Sequence, residues 1–184
     1  MKIYTKTGDK GTTGLLYGGR VAKNSLQIEL NGAVDEAQAH FGVVRSMAAD
    51  QLSELSEVCR GIEVDLWVLM AEVATSAERR TRLKPGSTLV SDEMVGRLES
   101  LIDRFTELFD PPTEFVIPGG DRIAAELDVS RTVVRRAERI SIEFVAGVPE
   151  SLVQVYLNRL SDLAWTLARW REGQSLTAKA ARDV

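Results

Sequence analysis

Five long segments with helical periodicity determine which folds this chain can adopt. Apolar residues recur every three to four positions in each segment, and breaks such as Pro85-Gly86 and Pro111-Pro112 separate one segment from the next. The predicted helices cover residues 25–48, 52–80, 91–109, 121–146 and 150–171. Short connections between long amphipathic helices favour antiparallel neighbours, so we predict an all-α, up-and-down five-helix bundle.

The last segment shows this pattern most plainly. A narrow apolar stripe at helical spacing consists of Leu152, Tyr156, Leu160, Leu163, Leu167 and Trp170. The opposite side carries a mixed set, Asn158, Asp162, Trp165 and Arg169. The stripe predicts a core face, and the mixed set predicts a second face that also packs against something.

The chain is expected to form one domain over residues 1–184. Residues 1–24 are rich in Gly, Thr and Lys and lack apolar periodicity, which predicts an ordered loop or a short extended arm. The helical bundle is expected over 25–171 and a short polar tail over 172–184.

Composition and charge exclude several classes of protein. A net charge of −4 and a pI near 5.2 argue against a general nucleic-acid binder, which needs clustered Lys and Arg. No stretch approaches the roughly 20 apolar residues that span a bilayer, and the first residues lack the apolar core of a signal peptide. We therefore expect a cytoplasmic protein that binds neither nucleic acid nor membrane.

Cysteine and histidine are too scarce to carry the chemistry. The single Cys59 lies among Leu55, Val58 and Ile62 at helical spacing, so it is predicted to be a buried apolar residue. The single His40 rules out a multi-histidine metal site and gives a catalytic dyad little to build on. Any catalysis is expected to use other groups.

The N-terminal arm has the composition of a polyphosphate cradle. Residues 5–14 combine glycines that free the backbone, threonine hydroxyls and two lysines, and Lys23 adds a third cation. The spacing does not match a P-loop. A solvated, flexible tail explains the same composition.

Charged residues on the fourth segment share a helix face with apolar ones. Arg131, Arg135 and Glu138 stand at i, i+4 and i+7, in line with Leu127 and Val134. This mixture predicts a partly buried site or a subunit interface, where arginine binds phosphate or carboxylate. A salt-bridged surface is the alternative.

Three further features are less specific by themselves. Asn158 presents an amide that can bind a base or sugar, or can simply join two helices. Asp35 can pair with an arginine from elsewhere, and residues 115–120 form an apolar run that ends in a turn and can cap a bundle end.

The order and spacing of these motifs along the chain, from residue 3 to about 171, resemble those of the PduO-type ATP:cob(I)alamin adenosyltransferases. The matching stretches are residues 4–11, 32–36, 115–120, 135–139 and 156–162. The resemblance implies a homotrimer of ferritin-like five-helix bundles with active sites between adjacent subunits. In relatives the C-terminal segment can help to close the corrinoid pocket, whereas residues 81–90 match no signature of the family.

The resemblance also implies roles for individual residues. The implied ATP contacts are Thr5, Lys6, Thr7, Gly8, Thr13, Gly14, Lys23, Arg135, Arg136, Ala137, Glu138, Arg139 and Asn158. Arg131 is implied to pair with Asp35 across the subunit boundary. Phe115 is implied to lie beneath the corrin ring, displacing the lower axial ligand so that cobalt is easier to reduce. Arg135, Asn158 and Phe115 are the implied catalytic residues.

The implied reaction needs no protein nucleophile. Cob(I)alamin attacks the 5′ carbon of ATP and expels triphosphate, with Mg²⁺ held through the ATP phosphates. A cobalamin reductase and an adenosylcobalamin-dependent acceptor enzyme are the implied partners. The alternatives are a corrinoid or nucleotide sensor, a purely structural oligomer, and a cobalamin carrier that ligates cobalt through histidine. His40 lacks the D-x-H-x-x-G context of such carriers.

Overall fold

The computed structural model describes residues 3–49 and 52–182. The outermost residues of the predicted domain, 1–2 and 183–184, lie outside the described residues, as do 50–51. The described helices are α1 (Leu26–Ala48), α2 (Ser53–Val73), α3 (Asp92–Thr106), α4 (Arg122–Ala146) and α5 (Val153–Glu172). This confirms the predicted helical fold. Of the helices in the described ranges, none is long and apolar enough to cross a membrane.

Side-chain pairs establish the direction of each helix. His40 on α1 binds Glu126 on α4, with 2.5 Å between Nδ1 and Oε1, and Arg169 on α5 binds Asp128 on α4. α1 packs against α2 and α4, while α5 packs against α3 and α4. Gln27 near the start of α1 contacts Val73 at the end of α2, and Arg104 near the end of α3 pairs with Glu54 near the start of α2, so the helices alternate in direction, as predicted. However, α3 packs chiefly on α5 and not on its sequence neighbour α4, because the long 107–121 connection crosses the end of the bundle.

The predicted α5 stripe forms the centre of the core. Tyr156, Leu160, Leu163 and Leu167 are fully buried. Trp170 is partly buried and packs edge-on against Phe105, with ring centroids 4.9 Å apart. Since full burial of one such apolar side chain is worth about 1.5–3 kcal/mol, this stripe is a main source of stability.

Cys59 is fully buried in the core, as predicted. Burial, together with the nearby Glu63 carboxylate, raises the pKa of its thiol to about 12. Because the thiolate is the reactive form, the native protein should resist iodoacetamide at pH 8. Mass spectrometry should show one modified thiol only after unfolding in guanidinium, and stoichiometric modification of the folded protein would contradict this placement.

α2 ends earlier than the sequence predicts. The expected helix ran to residue 80, but α2 ends at Val73 and a separate 3₁₀ helix covers Ala77–Arg82. Long-range partners take up the carbonyls of the last turn: the Leu16 amide donates to Ala74 at 2.8 Å, and Gln27 Nε2 donates to Val73 at 3.1 Å. These contacts end the helix where no local Pro or Gly does so.

The third helix also stops early. It was expected to reach residue 109, but α3 ends at Thr106. The Thr106 hydroxyl donates to the Ile102 carbonyl at 2.7 Å, within the last turn. Pro111 and Pro112 follow shortly afterwards and prevent the helix from continuing.

The N-terminal arm contains a short β-hairpin that the sequence did not predict. Strand β1 (Thr12–Gly14) pairs antiparallel with β2 (Arg20–Ala22), and Thr13 lies opposite Val21. The extended conformation was expected, but the pairing was not. A second short 3₁₀ helix, Ala180–Arg182, lies near the C-terminus.

Arg169 shows what the predicted mixed face of α5 packs against. The side chain is only 2% exposed, and Nη2 donates to Asp128 Oδ2 at 2.6 Å. A buried arginine is tolerated when a carboxylate neutralises it. The second packed face that the sequence predicted for α5 is therefore present, and on it Arg169 packs against α4.

Candidate active site

The predicted site residues occur in two groups at different places in the bundle. The N-terminal arm precedes α1, whereas the 107–121 loop precedes α4, and the two helices are antiparallel. The arm and the loop therefore lie at opposite ends of the bundle. α4 alone, with 25 residues, is about 38 Å long. Within one chain the two groups are separated by much of this length.

The arm gathers its predicted residues around the hairpin. Lys23 lies against Gly8, since a Cβ on Gly8 would be 3.1 Å from Lys23 Nζ. The Thr5 and Thr7 hydroxyls are 2.9 Å apart. Lys6 and Lys23 are exposed, and Thr13 and Gly14 lie in β1. The result is an ordered, cationic loop, which is not the flexible tail of the alternative interpretation.

Arg20 holds this loop in place and was missed by the sequence analysis. Its Nη2 donates to the Thr7 carbonyl at 2.8 Å and to the Thr12 carbonyl at 3.0 Å. One guanidinium thus joins β2 to the predicted phosphate segment. The only sequence signal was its position after Gly18-Gly19, a typical turn, which marks the start of a returning strand.

The arginines of α4 differ in their partners. Arg136 pairs with Glu36 on α1, and Arg131 Nε binds Asp128 at 3.2 Å. Arg135 is exposed, and no carboxylate of the described chain lies within salt-bridge distance of it. Arg139 Nη1 donates to the Arg135 carbonyl at 3.2 Å. Arg135 is therefore a cation available to an anionic ligand.

Ala137 does not share this exposed face. It was predicted with its neighbours as part of the ATP site, but it is fully buried in the core. On α4 the residue two positions after Arg135 points to the opposite side of the helix. Its side chain packs the bundle interior.

Asn158 is half-buried at the boundary between α5 and α4. Its Nδ2 donates to Glu138 Oε1 at 2.9 Å, and its Oδ1 accepts from Arg159 Nη1 at 2.6 Å. Arg159 also binds Glu99 on α3 at 2.9 Å. The helix-joining hydrogen bond foreseen for Asn158 is present, and it fixes the orientation of the amide close to the α4 cations.

Asp162 lies one turn beyond Asn158 on α5. Burial raises the pKa of its carboxyl, and the Glu138 carboxylate adds to this rise, while Arg159 and Arg135 oppose it. These influences place Asp162, Glu138 and Arg135 in one electrostatic cluster. Arg159 is paired with Glu99, whereas Arg135 forms no salt bridge within the described residues, so Arg135 is the cation of this cluster that an added anion can pair with.

Phe115 is 90% exposed in the 107–121 loop. It lines a cavity of about 440 Å³, whose other walls include Val116, Trp165, Arg131 and Arg169. The exposed ring gives this cavity an apolar side next to its two arginines, a combination that is typical of ligand-binding grooves. Arg131, in the same cavity, lies one helical turn from Arg135.

The C-terminal tail pairs with the Phe115 loop. The Ile117 amide donates to Leu176 at 2.8 Å, and the Ala178 amide donates to the Phe115 carbonyl at 2.8 Å. Val116 and Thr177 form an antiparallel bridge. The tail, expected to be short and polar, is thus an ordered part of the cavity's surroundings.

Asp35 and Arg131 do not pair with one another in the described chain, in which Arg131 binds Asp128. Asp35 lies exposed on α1. The pair was expected between subunits, so that prediction stands untested. As to metals, residues 3–49 and 52–182 contain no cluster of three or more His, Cys, Asp or Glu that could hold an ion.

Comparisons with known proteins agree on one family. Residues 3–171 match the model of the cobalamin adenosyltransferase family. The corrinoid adenosyltransferase of Citrobacter freundii is 39% identical over 172 residues, which cover 93% of this chain and 95% of that protein. The cobalamin adenosyltransferase of Cupriavidus metallidurans is 40% identical over 171 residues, covering 91% and 86% of the two chains.

A solved structure extends the likeness to three dimensions. A variant of the PduO-type ATP:corrinoid adenosyltransferase from Lactobacillus reuteri, complexed with cobalamin and ATP, superposes with a TM-score of 0.84. It is 28% identical, and the match covers 97% of this chain and 99% of that chain. Sequence, fold and the arrangement of the helices lead to the same conclusion: this chain belongs to the cobalamin adenosyltransferase family.

Proposed function

We propose that the protein transfers the 5′-deoxyadenosyl group of ATP to cob(I)alamin, giving adenosylcobalamin and triphosphate. The observation that carries this proposal is the exposed Phe115 ring over a cavity of about 440 Å³, one helical turn from the unpaired cation Arg135. A large apolar partner and a polyanion can thus bind side by side. Family membership supplies the identity of these two ligands.

The ATP site is proposed to form between two copies of the chain, in a homotrimer. The arm, with Lys23 against Gly8, lies at the opposite end of the bundle from the Phe115 loop. A nucleotide held by the arm cannot reach the cavity at the Phe115 loop of the same chain, because the arm and the loop are separated by most of the length of a helix. A neighbouring copy brings its arm to the Arg135 face, and the exposed Asp35 then meets Arg131.

Each group has a physical task in this site. The arm amides, Lys6 and Lys23 bind the triphosphate, and Arg135 and Arg139 neutralise the charge that grows on it as it leaves. Asn158, held by Glu138 at 2.9 Å, presents its amide to the nucleoside. Mg²⁺ is proposed to bind through the ATP phosphates. These residues align the 5′ carbon with the corrinoid and exclude water.

The reaction is a single displacement at carbon. The electron pair of cob(I)alamin's cobalt forms the bond to the 5′ carbon of ATP. The bond from that carbon to the phosphate oxygen breaks, and triphosphate leaves with the electrons. No protein nucleophile or base is needed, which agrees with the buried, unreactive Cys59. A cobalamin reductase is proposed to supply the electron and an adenosylcobalamin-dependent enzyme to take the product, in the cytoplasm.

The experiment that tests this function is anaerobic conversion of chemically reduced cob(I)alamin with ATP and Mg²⁺. Adenosylcobalamin is followed by its absorbance and light sensitivity, and triphosphate is quantified in the same sample. We expect equal amounts of the two products. Binding of ATP and corrinoid without turnover would favour the sensor, and binding of neither would leave only a structural oligomer.

Replacing Phe115 with alanine should slow adenosylation by about 10-fold or more while ATP affinity stays within about twofold, because the ring faces the corrinoid and not the nucleotide. A side chain that is 90% exposed contributes little to folding, so the melting temperature should not change. The exposed Leu108, in the same loop region, provides a matched control as Leu108→Ala. Equal activity of Phe115→Ala and wild type would remove this residue from the site.

A further inference from the structure

We propose that the 3₁₀ helix Ala77–Arg82 is a clasp that positions the N-terminal hairpin for ATP, through Arg79 and Arg82 acting as positioning residues. This inference rests on the proposed function of the arm as an ATP-binding element. The segment follows α2 directly and, with residues 81–90, matches no motif that the function uses. Its contacts with the hairpin give it a role.

The hairpin turn needs to be held from outside. Tyr17, Gly18 and Gly19 have φ angles of 64°, 95° and 93°, so three consecutive residues lie at positive φ. Glycine adopts this region freely, but a tyrosine does so only where its surroundings impose it. An isolated hairpin with two three-residue strands would not maintain such a turn by itself.

Two arginines of the clasp contact this turn. The Arg82 guanidinium stacks over the Tyr17 ring, 4.3 Å from its centroid, which is a favourable cation–π distance. Arg79 lies against Gly18, since a Cβ there would be 2.7 Å from Arg79 Nη1. Gly18 is therefore required both for its φ angle and for the closeness of this arginine.

The backbone next to the turn is attached to the same place. The Leu16 amide donates to the Ala74 carbonyl at 2.8 Å, and Leu16 forms a parallel bridge with Thr75. The turn thus sits at the junction between α2 and the clasp. The hairpin's own hydrogen bonds, from Leu15 to Gly19 and from Gly18 to Leu15, close the turn, whereas the junction sets where the turn lies on the bundle.

The clasp itself is anchored in the bundle. Arg80, in its middle, donates to Glu72 at 2.9 Å, and this carboxylate is fully buried on α2. Glu72 also accepts from the Val90 amide at 2.8 Å and from the Ser151 hydroxyl at 2.6 Å. A buried, fully paired charge makes a rigid base for the neighbouring Arg79 and Arg82.

Strand β2 connects the turn to the predicted phosphate segment of the arm. Arg20, one residue beyond Gly19, binds the carbonyls of Thr7 and Thr12, and Lys23 lies against Gly8. If the turn moves, these contacts move with it. Loss of the clasp should therefore weaken ATP binding and leave the chemical step of the filled site unchanged.

The test compares Arg82→Ala, Tyr17→Ala and Tyr17→Phe with wild type in the adenosylation assay and by calorimetry with MgATP. We expect KM and Kd for ATP to rise about 5- to 10-fold in the two alanine variants, with kcat at saturating ATP within about twofold. Tyr17→Phe keeps the ring and should behave as wild type. Arg104→Ala removes an arginine stacked on Phe105, 4.8 Å from the ring, far from the arm, and should not change either constant.

A second readout does not depend on activity. Lys10 is exposed in the arm, so trypsin should cut after it faster in Arg82→Ala than in wild type or Arg104→Ala. Unchanged ATP constants and unchanged cleavage would overturn the clasp, as would a fall in kcat without a rise in KM. If wild type neither binds nor uses ATP, the proposed function fails first and the clasp fails with it. If wild type binds ATP, the results for the variants decide whether the clasp positions the arm.

Discussion

Arg135→Ala is expected to lower adenosylation turnover by about 10²- to 10³-fold without unfolding the protein. Arg135 is exposed and has no carboxylate partner in the described ranges, so its removal breaks no ion pair of the bundle. In the proposed site it neutralises charge that develops on the departing triphosphate. Losing one such preorganised cation weakens the transition state more than it weakens ATP binding.

The measurement is kcat and KM for ATP, with the melting temperature as a check on folding. Arg60→Ala is the matched control, because Arg60 is also an exposed helical arginine, paired with Glu57 on α2. The control should retain wild-type constants. Arg135→Ala with full activity would mean that ATP does not bind on this face of α4.

The largest expected loss of stability comes from Arg169→Ala, at about 3–5 kcal/mol. The arginine is 2% exposed and Asp128 is 6% exposed, with 2.6 Å between Nη2 and Oδ2. Removing the arginine leaves a cavity and deprives two buried carboxylates of a cation: Glu172 loses its contact at 3.4 Å, and Asp128 keeps, among the described residues, only Arg131 at 3.2 Å. The cost comes from these undercompensated charges more than from the lost attraction.

Guanidinium unfolding of three variants separates these contributions. Arg169→Ala should lose several kcal/mol, whereas the double variant Asp128→Asn/Arg169→Met, which removes both charges of the pair, should lose less. Arg60→Ala, a surface pair, should change the free energy of unfolding by less than about 1 kcal/mol. A double variant less stable than Arg169→Ala would show that undercompensated charge is not the main cost.

Features encoded by local periodicity were predictable from the sequence. The α5 stripe was identified because Tyr156, Leu160, Leu163 and Leu167 recur at helical spacing, and all are fully buried. Cys59 was placed in the core by the same reasoning.

Features that depend on distant partners were not predictable. α2 stops at Val73 because Leu16 and Gln27, from the arm and from α1, take its last carbonyls. The sequence predicted a second packed face that includes Arg169 but not its partner, because Asp128 is 41 residues away on another helix. The spacing of charges within one helix contains no information about either contact.

The residue types of the candidate site were predictable from the sequence, but their arrangement in space was not. The glycine, threonine and lysine residues of the arm do gather around Lys23 and Gly8. The hairpin that holds them, and the role of Arg20, depend on strand pairing between short segments without alternating apolar residues. The resemblance implied Ala137 together with residues 135–139, although the helix turns its side chain toward the core.

Mixing two defective variants tests most directly whether the active site forms between copies of this chain. Lys23→Ala damages the arm and Arg135→Ala damages the α4 face, so each alone should show little turnover. Co-expressed in equal amounts, they should regain about a quarter of wild-type activity, because in randomly mixed trimers about one interface in four pairs an intact arm with an intact α4 face. Mixed assemblies with no more activity than the separate variants would contradict a shared site.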